Sequence, residues 1–320
     1  MKLFSILFYF HYLCCVMEKF QVHILGCGSA LPTTRHFSSS QVINLREKLF
    51  MIDCGEGAQL QLRKSRLKFS RLNHIFISHL HGDHVFGLIG LISTFGLLGR
   101  TAELHIFSPA GLEKLFSPLM DFFCYKLPFK VIFHEFSSSE SAIIFEDRTV
   151  EVHTIPLSHR LPCCGFLFKE KKLPNHLKRD MADFYRVPMS HYNLIKNGAD
   201  FTTDEGEVIP NERLTVPSYE PRSYAYCSDT RYLPKIVPLI DQVNLLFHEA
   251  TFDDNDIARA KETYHSTATQ AAMIARDAHV GQLIIGHFSA RYEDETPLLD
   301  EARETFQNTV LAYENMCIDV

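Results

Sequence analysis

Tryptophan is missing from this 320-residue chain, so the large aromatic surface it buries must come from its 26 phenylalanines and 12 tyrosines. Close Cys-x-x-Cys pairs are missing as well, although nine cysteines are present: Cys14, Cys15, Cys27, Cys54, Cys124, Cys163, Cys164, Cys227 and Cys317. An odd count without paired spacing gives no disulfide framework; these read as reduced, partly buried thiols of a cytoplasmic protein. Strong charge of either sign is lacking, with a formal net charge of -6. Global attraction to nucleic acid is thereby excluded, and any such binding must come from local basic patches. Disorder-prone composition is lacking too, so the chain can bury a substantial core. So is a bilayer-spanning run: Leu3 to Met17, behind Lys2, looks like a short signal-peptide core, but it is short for a span and no small-x-small cleavage site follows. No membrane association is expected. A clean strand pattern opens at Met17-Glu18-Lys19-Phe20, which predicts that residues 1–16 are an N-terminal extension outside the native protein and 17–320 the working domain.

What is present, densely, is histidine. Residues 78–84 read Ser78-His79-Leu80-His81-Gly82-Asp83-His84. The apolar run Leu72 to Ile77 before them predicts a buried strand. In extended chain His79 and His81 point to one side, as ligands of one tetrahedral zinc would. Gly82 allows a sharp turn, after which Asp83 and His84 offer an oxygen and a nitrogen to a second metal. Histidine-rich tracts without chemistry are usually low-complexity tails, whereas this one lies between a strand and a helix pattern. Two divalent metals so held would support metal-assisted hydrolysis.

The surrounding pattern alternates strands and helices. Strands are predicted at Phe20–Leu25, Gln41–Asn44, Lys48–Ile52 and Glu103–Ser108, with helices over residues 58–66, 85–98 and 110–123. The second half repeats the logic, with strands at Val131–Phe136, Ala142–Phe145, Thr149–Pro156, Cys164–Lys169, Ser223–Ser228, Val243–His248 and Gln282–Gly286. Helices are predicted over Thr267–Ala278 and Pro297–Glu304. From about 170 to 213 the sequence is polar, rich in Lys and Asn, without a strong core pattern, and reads as an inserted arm. The fold class is α/β, with polar residues at strand ends along one sheet edge.

Three further candidates each follow a strand: His159, Asp229 and His287. Singly, each is more often a structural residue; together with the cluster they complete the ligand count for two metals, with Asp229 the natural bridging carboxylate.

With Asp53, these residues in this order resemble the metallo-β-lactamase superfamily, and the resemblance spans residues 20 to about 292. It implies a four-layer αββα sandwich with metals at the edge between two sheets. It further implies one metal on His79, His81 and His159, another on Asp83, His84 and His287, Asp229 shared, and Asp53 behind them orienting ligands. Two more motifs, His248-Glu249-Ala250-Thr251 and His265-Ser266-Thr267, stand between Asp229 and His287. With Gly26-Cys27-Gly28-Ser29-Ala30-Leu31-Pro32-Thr33 and Ile52-Asp53-Cys54-Gly55-Glu56-Gly57, they resemble the ribonuclease Z family of tRNA 3′-processing endonucleases.

That resemblance implies two Zn2+ per subunit, cytoplasmic location, precursor tRNA as substrate, and no protein partner beyond a second subunit in a homodimer. It implies Asp83 as proton acceptor and His265 as proton donor, oriented or charged by Glu249. Alternatively Ser266 and Thr267 merely cap a helix and His265 is an ordinary residue beside it. His248 is either a core hydrogen-bonder or part of the layer behind the ligands. The basic run Arg63-Lys64-Ser65-Arg66-Leu67-Lys68-Phe69-Ser70-Arg71 reads as solvated surface, whereas substrate contacts are expected from a second basic group, Lys169, Lys171, Lys172, Lys178 and Arg179, at the start of the arm. The chain departs from the family at Val187-Pro188-Met189-Ser190, where a Gly-Pro motif is usual, and at Thr34-Arg35-His36-Phe37, where an Arg-Asn pair is usual. A superfamily phosphodiesterase acting on small phosphodiesters or cyclic nucleotides would share the metal residues but need neither the arm nor His265.

Overall fold

The computed structural model describes residues 18–124 and 126–320. The expected extension 1–16, with Met17, lies outside the described residues. In chain order the strands are β1 Phe20–Gly26, β2 Ser40–Leu45, β3 Lys48–Ile52, β4 Leu72–Phe76, β5 Leu104–Pro109, β6 Val131–Phe136, β7 Ile143–Glu146, β8 Val150–Pro156 and β9 Cys164–Glu170. They continue with β10 His176–Leu177, β11 Phe201–Thr202, β12 Val208–Ile209, β13 Thr215–Val216, β14 Ser223–Cys227, β15 Leu245–Glu249, β16 Gln282–Gly286, β17 Thr309–Leu311 and β18 Cys317–Asp319.

The first large sheet runs β18-β1-β2-β3-β4-β5-β6, antiparallel from β18 to β3 and parallel from β3 to β6. The second runs β17-β16-β15-β14-β9-β8-β7, with β14 to β17 parallel. Phenylalanine fills the space between them. Phe50, Phe76 and Phe107 of the first sheet meet Phe145, Phe166 and Phe168 of the second at ring separations of 5.5–6.2 Å. Edge-on aromatic pairs of this kind pack densely without tryptophan. Helices Ala58–Lys64, Gly82–Leu97 and Leu112–Phe123 cover one outer face through Leu62, Leu88, Leu91, Ile92 and Phe116. Ala268–Asp277 packs against Thr296–Thr305 and lies over β15 and β16. The four-layer αββα sandwich is therefore present.

The parallel strands β14, β15 and β16 are buried along almost their whole length, as strands covered on both faces must be. Their carboxyl ends lead to Asp229, Glu249 and His287 respectively. Likewise β3 leads to Asp53, β4 to His79 and β8 to His159.

Gly82 corrects one expectation. The helix expected from residue 85 starts there: Gly82 is its first residue, and Asp83 and His84 occupy its first turn. His81 precedes it in extended conformation. The apolar periodicity hides this start because the N-cap residue, His81, makes no side-chain cap hydrogen bond and no usual capping residue marks it.

The chain divides into two compact units. One, Met1–Phe145 with Glu151–Phe168 and Arg222–Val320, carries the sandwich; the other is Glu146–Val150 with Lys169–Pro221. The second contains the ribbons β10–β13 and β11–β12 and the short helices Arg179–Phe184, Tyr192–Lys196 and Asn211–Leu214. It has a small core of its own, of Ala182, Val187, Ile195, Phe201, Ile209 and Leu214. The sequence shows no such core because elements of two to six residues are too short to display a hydrophobic period.

Candidate metal centre

Two groups of potential ligands converge within the sandwich unit. His79, His81, His159 and Asp229 form one, and Asp83, His84, Asp229 and His287 the other; within each, one donor atom per residue lies within 4.8 Å of the rest. Asp229 belongs to both and divides its oxygens between them. Its Oδ2 faces His79 Nε2 at 3.6 Å and His159 Nε2 at 3.7 Å. Its Oδ1 faces His84 Nε2 at 3.4 Å and His287 Nε2 at 3.2 Å. Asp83 Oδ2 closes the second group, 3.3 Å from His84 Nε2 and 3.5 Å from His287 Nε2. In the first, His81 Nδ1 lies 3.0 Å from His79 Nε2 and 3.1 Å from His159 Nε2.

These residues pass a direct test of fit to metal. Asp83 Oδ2, His84 Nε2, Asp229 Oδ1 and His287 Nε2 are all buried without a hydrogen-bond partner. Orphaned buried polar atoms cost free energy unless something satisfies them. Here the four point at one another, and a divalent cation is the group that four such donors suit.

The outward nitrogens of four ligand histidines, by contrast, are held. His84 Nδ1 lies 2.8 Å from Asp53 Oδ2, His287 Nδ1 2.9 Å from Thr251 Oγ1, His79 Nδ1 3.0 Å from Ser78 Oγ and His159 Nδ1 3.0 Å from the Tyr264 carbonyl. Such partners fix ring orientation and tautomer. Asp53 in turn accepts from the Ser78 backbone and hydroxyl, both at 2.8 Å, and from Tyr226 at 2.9 Å. Asp53 and His287 hold left-handed backbone, with φ of 55° and 63°, a strain that the surrounding hydrogen bonds must offset.

Electrostatics follow from this crowding. Burial raises the Asp229 carboxyl, but His287, His84 and His79 outweigh it and hold the group well below the usual carboxylate range. Asp83 is likewise lowered, by His84 and His287 against burial. Burial drives His79, His81 and His159 toward the neutral form that ligation requires.

Beside the second group sits a third. His265 Nδ1 lies 2.9 Å from Glu249 Oε1, and Thr251 Oγ1 is 3.2 Å away. Glu249 is fully buried, accepts from the backbones of Thr230 and Thr251, and takes the Thr251 hydroxyl on Oε2 at 2.7 Å. Burial lowers His265, but Glu249 more than reverses this and raises it to about 9. Thr267 does cap the following helix, in a capping box with Gln270, yet His265 lies outside that helix. His248 is a core hydrogen-bonder: it is fully buried and its Nδ1 reaches the Glu249 carbonyl at 2.7 Å rather than a ligand side chain. That corrects its placement behind the ligands.

Thr251, Ser78 and Tyr226 are absent from the candidates that the sequence suggests. Thr251 stands inside the His-Glu-Ala-Thr motif and Ser78 beside His79, so adjacency is the available signal. Tyr226 gives none.

The centre opens into a cavity of about 530 Å³ whose walls include Arg160, Arg259, Arg291, Phe86 and Leu31. In the arm unit, Lys172 and Arg179 are exposed, Arg179 lying over the Tyr192 ring at 5.7 Å. Lys171 pairs with Glu146 at 2.7 Å, and Lys178 donates to the Glu212 carbonyl at 2.8 Å. Of the basic run, Arg63, Lys64, Arg66 and Lys68 are exposed and Arg71 pairs with Glu47.

A family model described as Anti-Pycsar protein Apyc1 matches residues 20–120. Ribonuclease Z of Bacteroides thetaiotaomicron is 71% identical over 304 residues, covering 95% of this chain and 96% of that protein. Ribonuclease Z of Bacteroides fragilis is 69% identical over 304 residues, covering 95% of this chain and 100% of its own. The chain belongs to the ribonuclease Z family. The crystal structure of human tRNase Z, short form, superposes with a TM-score of 0.68 at 28% identity, covering 94% of this chain and 99% of that one. As a ribonuclease Z, the protein is a hydrolytic endoribonuclease on the metallo-β-lactamase fold, and the fold implies a metal cofactor. No described helix is long and apolar enough to cross a membrane.

Proposed function

We propose that the protein removes the 3′ trailer from precursor tRNA by hydrolysing one phosphodiester, leaving a 3′-hydroxyl on the tRNA and a 5′-phosphate on the trailer. The division of Asp229's two oxygens between two ligand groups carries this reading. His79, His81 and His159 would hold one Zn2+, Asp83, His84 and His287 a second, and Asp229 both. Bound divalent cations supply Lewis acidity that acidifies water and neutralises phosphoryl charge.

The chain's own residues do the rest. Asp83 accepts a proton from the attacking water on its carboxylate. His265, with Nδ1 engaged by Glu249 and Thr251, presents Nε2 to the cavity it lines and donates a proton there to the leaving 3′-oxygen. Asp53 and Thr251 hold His84 and His287 in register. Arg160, Arg259 and Arg291 line the cavity, Arg259 paired with Glu262 and Arg291 with Asp256, and would offer guanidinium groups to a phosphate backbone. Lys172 and Arg179 would grip tRNA from the arm, with the working domain spanning 17–320 and the arm about 170–213. The active form is a homodimer in the cytoplasm.

The deciding experiment maps the ends produced from a precursor tRNA with and without a chelator. Cleavage after the discriminator base that the chelator abolishes supports the proposal. Intact precursor tRNA alongside hydrolysis of a cyclic nucleotide would replace it with the small-phosphodiester reading.

A further inference from the structure

Away from the catalytic ligands, a second set of metal-binding residue types comes together around a buried thiol. Cys27 Sγ lies 3.3 Å from His36 Nδ1 and 3.6 Å from Glu314 Oε1, and His36 Nδ1 lies 3.3 Å from that same oxygen. The three donors come from the turn after β1, the loop before β2 and the turn before β18. Tetrahedral ligation at Zn–S, Zn–N and Zn–O lengths separates ligand atoms by about 3.3–3.6 Å. The Cys27–Glu314 and His36–Glu314 edges match that face, and the Cys27–His36 edge is slightly short of it.

A second observation is independent of the triangle. The other ring nitrogen, His36 Nε2, lies 3.3 Å from Glu295 Oε1, and Arg35 Nη1 holds that same oxygen at 2.8 Å. A carboxylate on the outer nitrogen is the usual companion of a metal-ligating histidine. In the catalytic centre Asp53 stands in the same relation to His84.

The geometry points to an accessory divalent-cation site of the zinc class at Cys27, His36 and Glu314, separate from the catalytic pair. Thiolate, imidazole and carboxylate together favour a borderline ion over magnesium or calcium. The ion's role is structural. Cys27 is 1% exposed, and its carbonyl accepts from Phe288 N at 2.9 Å, next to the ligand His287. Ser29 N returns the bond to the Phe288 carbonyl at 3.1 Å. A cation here would brace the Cys27 turn, which these backbone bonds join to the segment that carries His287. Burial and Glu314 keep the free thiol protonated, so binding releases its proton to solvent and forms the S–metal bond.

The two ligand groups of the catalytic centre include no sulfur, which makes the sites separable by spectroscopy. The full chain is stripped with a chelator and reloaded with Co2+ alone. Wild type and Asp229→Ala should both show near-ultraviolet thiolate-to-Co2+ charge-transfer absorption, and Cys27→Ser should lose it together with one metal equivalent per chain. His36→Ala, a second variant in case Cys27→Ser does not fold, should lose the same absorption. Its absence from wild type, its persistence in a folded Cys27→Ser or His36→Ala chain, or equal metal content in wild type and those variants overturns the site. Asp229→Ala reports on the catalytic proposal instead, since it removes those ions and leaves the sulfur signal.

Discussion

Asp229 and His265 line the same cavity and do different work. Asp229 turns an oxygen on the imidazoles of His84 and His287, whose Nε2 atoms have no hydrogen-bond partner, so truncating it leaves those two nitrogens facing Asp83 alone, with Asp53 still on His84 Nδ1. Asp229→Ala should therefore lose metal from both groups, read as zinc content by elemental analysis; an unchanged content contradicts the shared role. His265 makes its anchoring bonds away from the ligand atoms, to Glu249 and Thr251. His265→Ala should keep its metal and lose turnover on precursor tRNA by about 10²- to 10⁴-fold, the range of general acid catalysis. Near-wild-type turnover would return His265 to the ordinary residue beside a capped helix.

Two glycines let one element carry the ligands past another. Cys54 N donates to the His84 carbonyl at 2.8 Å and Gly87 N to the Cys54 carbonyl at 2.9 Å, so the loop after β3 lies directly on the helix that starts at Gly82. A Cβ at Gly87 would stand 2.0 Å from the Gly55 carbonyl oxygen, and one at Gly55 would stand 2.4 Å from the Asp83 carbonyl oxygen. Both obstacles are backbone, which cannot swing aside as a side chain would. Gly87→Ala should cost about 1–3 kcal/mol of stability, as overpacking does, with the midpoint of urea unfolding as the measure. Because the displaced loop carries Asp53, the same variant should also bind metal more weakly; an unaltered midpoint would show that the close approach relaxes freely.

For the whole molecule, buried carboxylates and imidazoles at the sheet edge make metal binding part of stability. Whatever binds the folded chain and not the unfolded one raises its melting temperature. Chelation should lower Tm by several degrees, and an unchanged Tm would mean that the centre is held without ions. Net charge is unfavourable to RNA, so the proposed association must rest on local cations, with Lys172 and Arg179 as candidates. Replacing both with alanine should weaken tRNA binding and reduce the log–log salt slope by about 0.7–0.9 for each phosphate that is no longer neutralised. A slope that does not move would remove the arm from substrate binding.

Much of this is legible in one dimension. Apolar patterning locates Lys48–Ile52, Val131–Phe136 and Gln282–Gly286 to the residue: the first and last are buried in four of their five residues, and Val131–Phe136, an edge strand, still opens on the apolar Val131-Ile132-Phe133. The same patterning leaves Thr309–Leu311, Cys317–Asp319 and Ile257–Thr263 unseen, since the two strands are three residues long and the helix carries one large apolar residue, Ile257. The same holds for the arm's own core. The candidate ligands are readable because metal chemistry restricts the residue types, and His, Asp and Glu at strand ends advertise themselves. Their support is not: Tyr226 and Thr251 are ordinary residue types whose hydroxyls matter only because folding sets them beside Asp53 and His287. Residue type and order thus establish which side chains can bind a cation and that the fold is α/β, while the layered sandwich is what the family resemblance implies. Folding in three dimensions settles that Asp229 divides its oxygens, that His248 turns away, and that Cys27 meets His36 and Glu314. Those outcomes depend on distances between residues far apart in the chain, which no local pattern encodes.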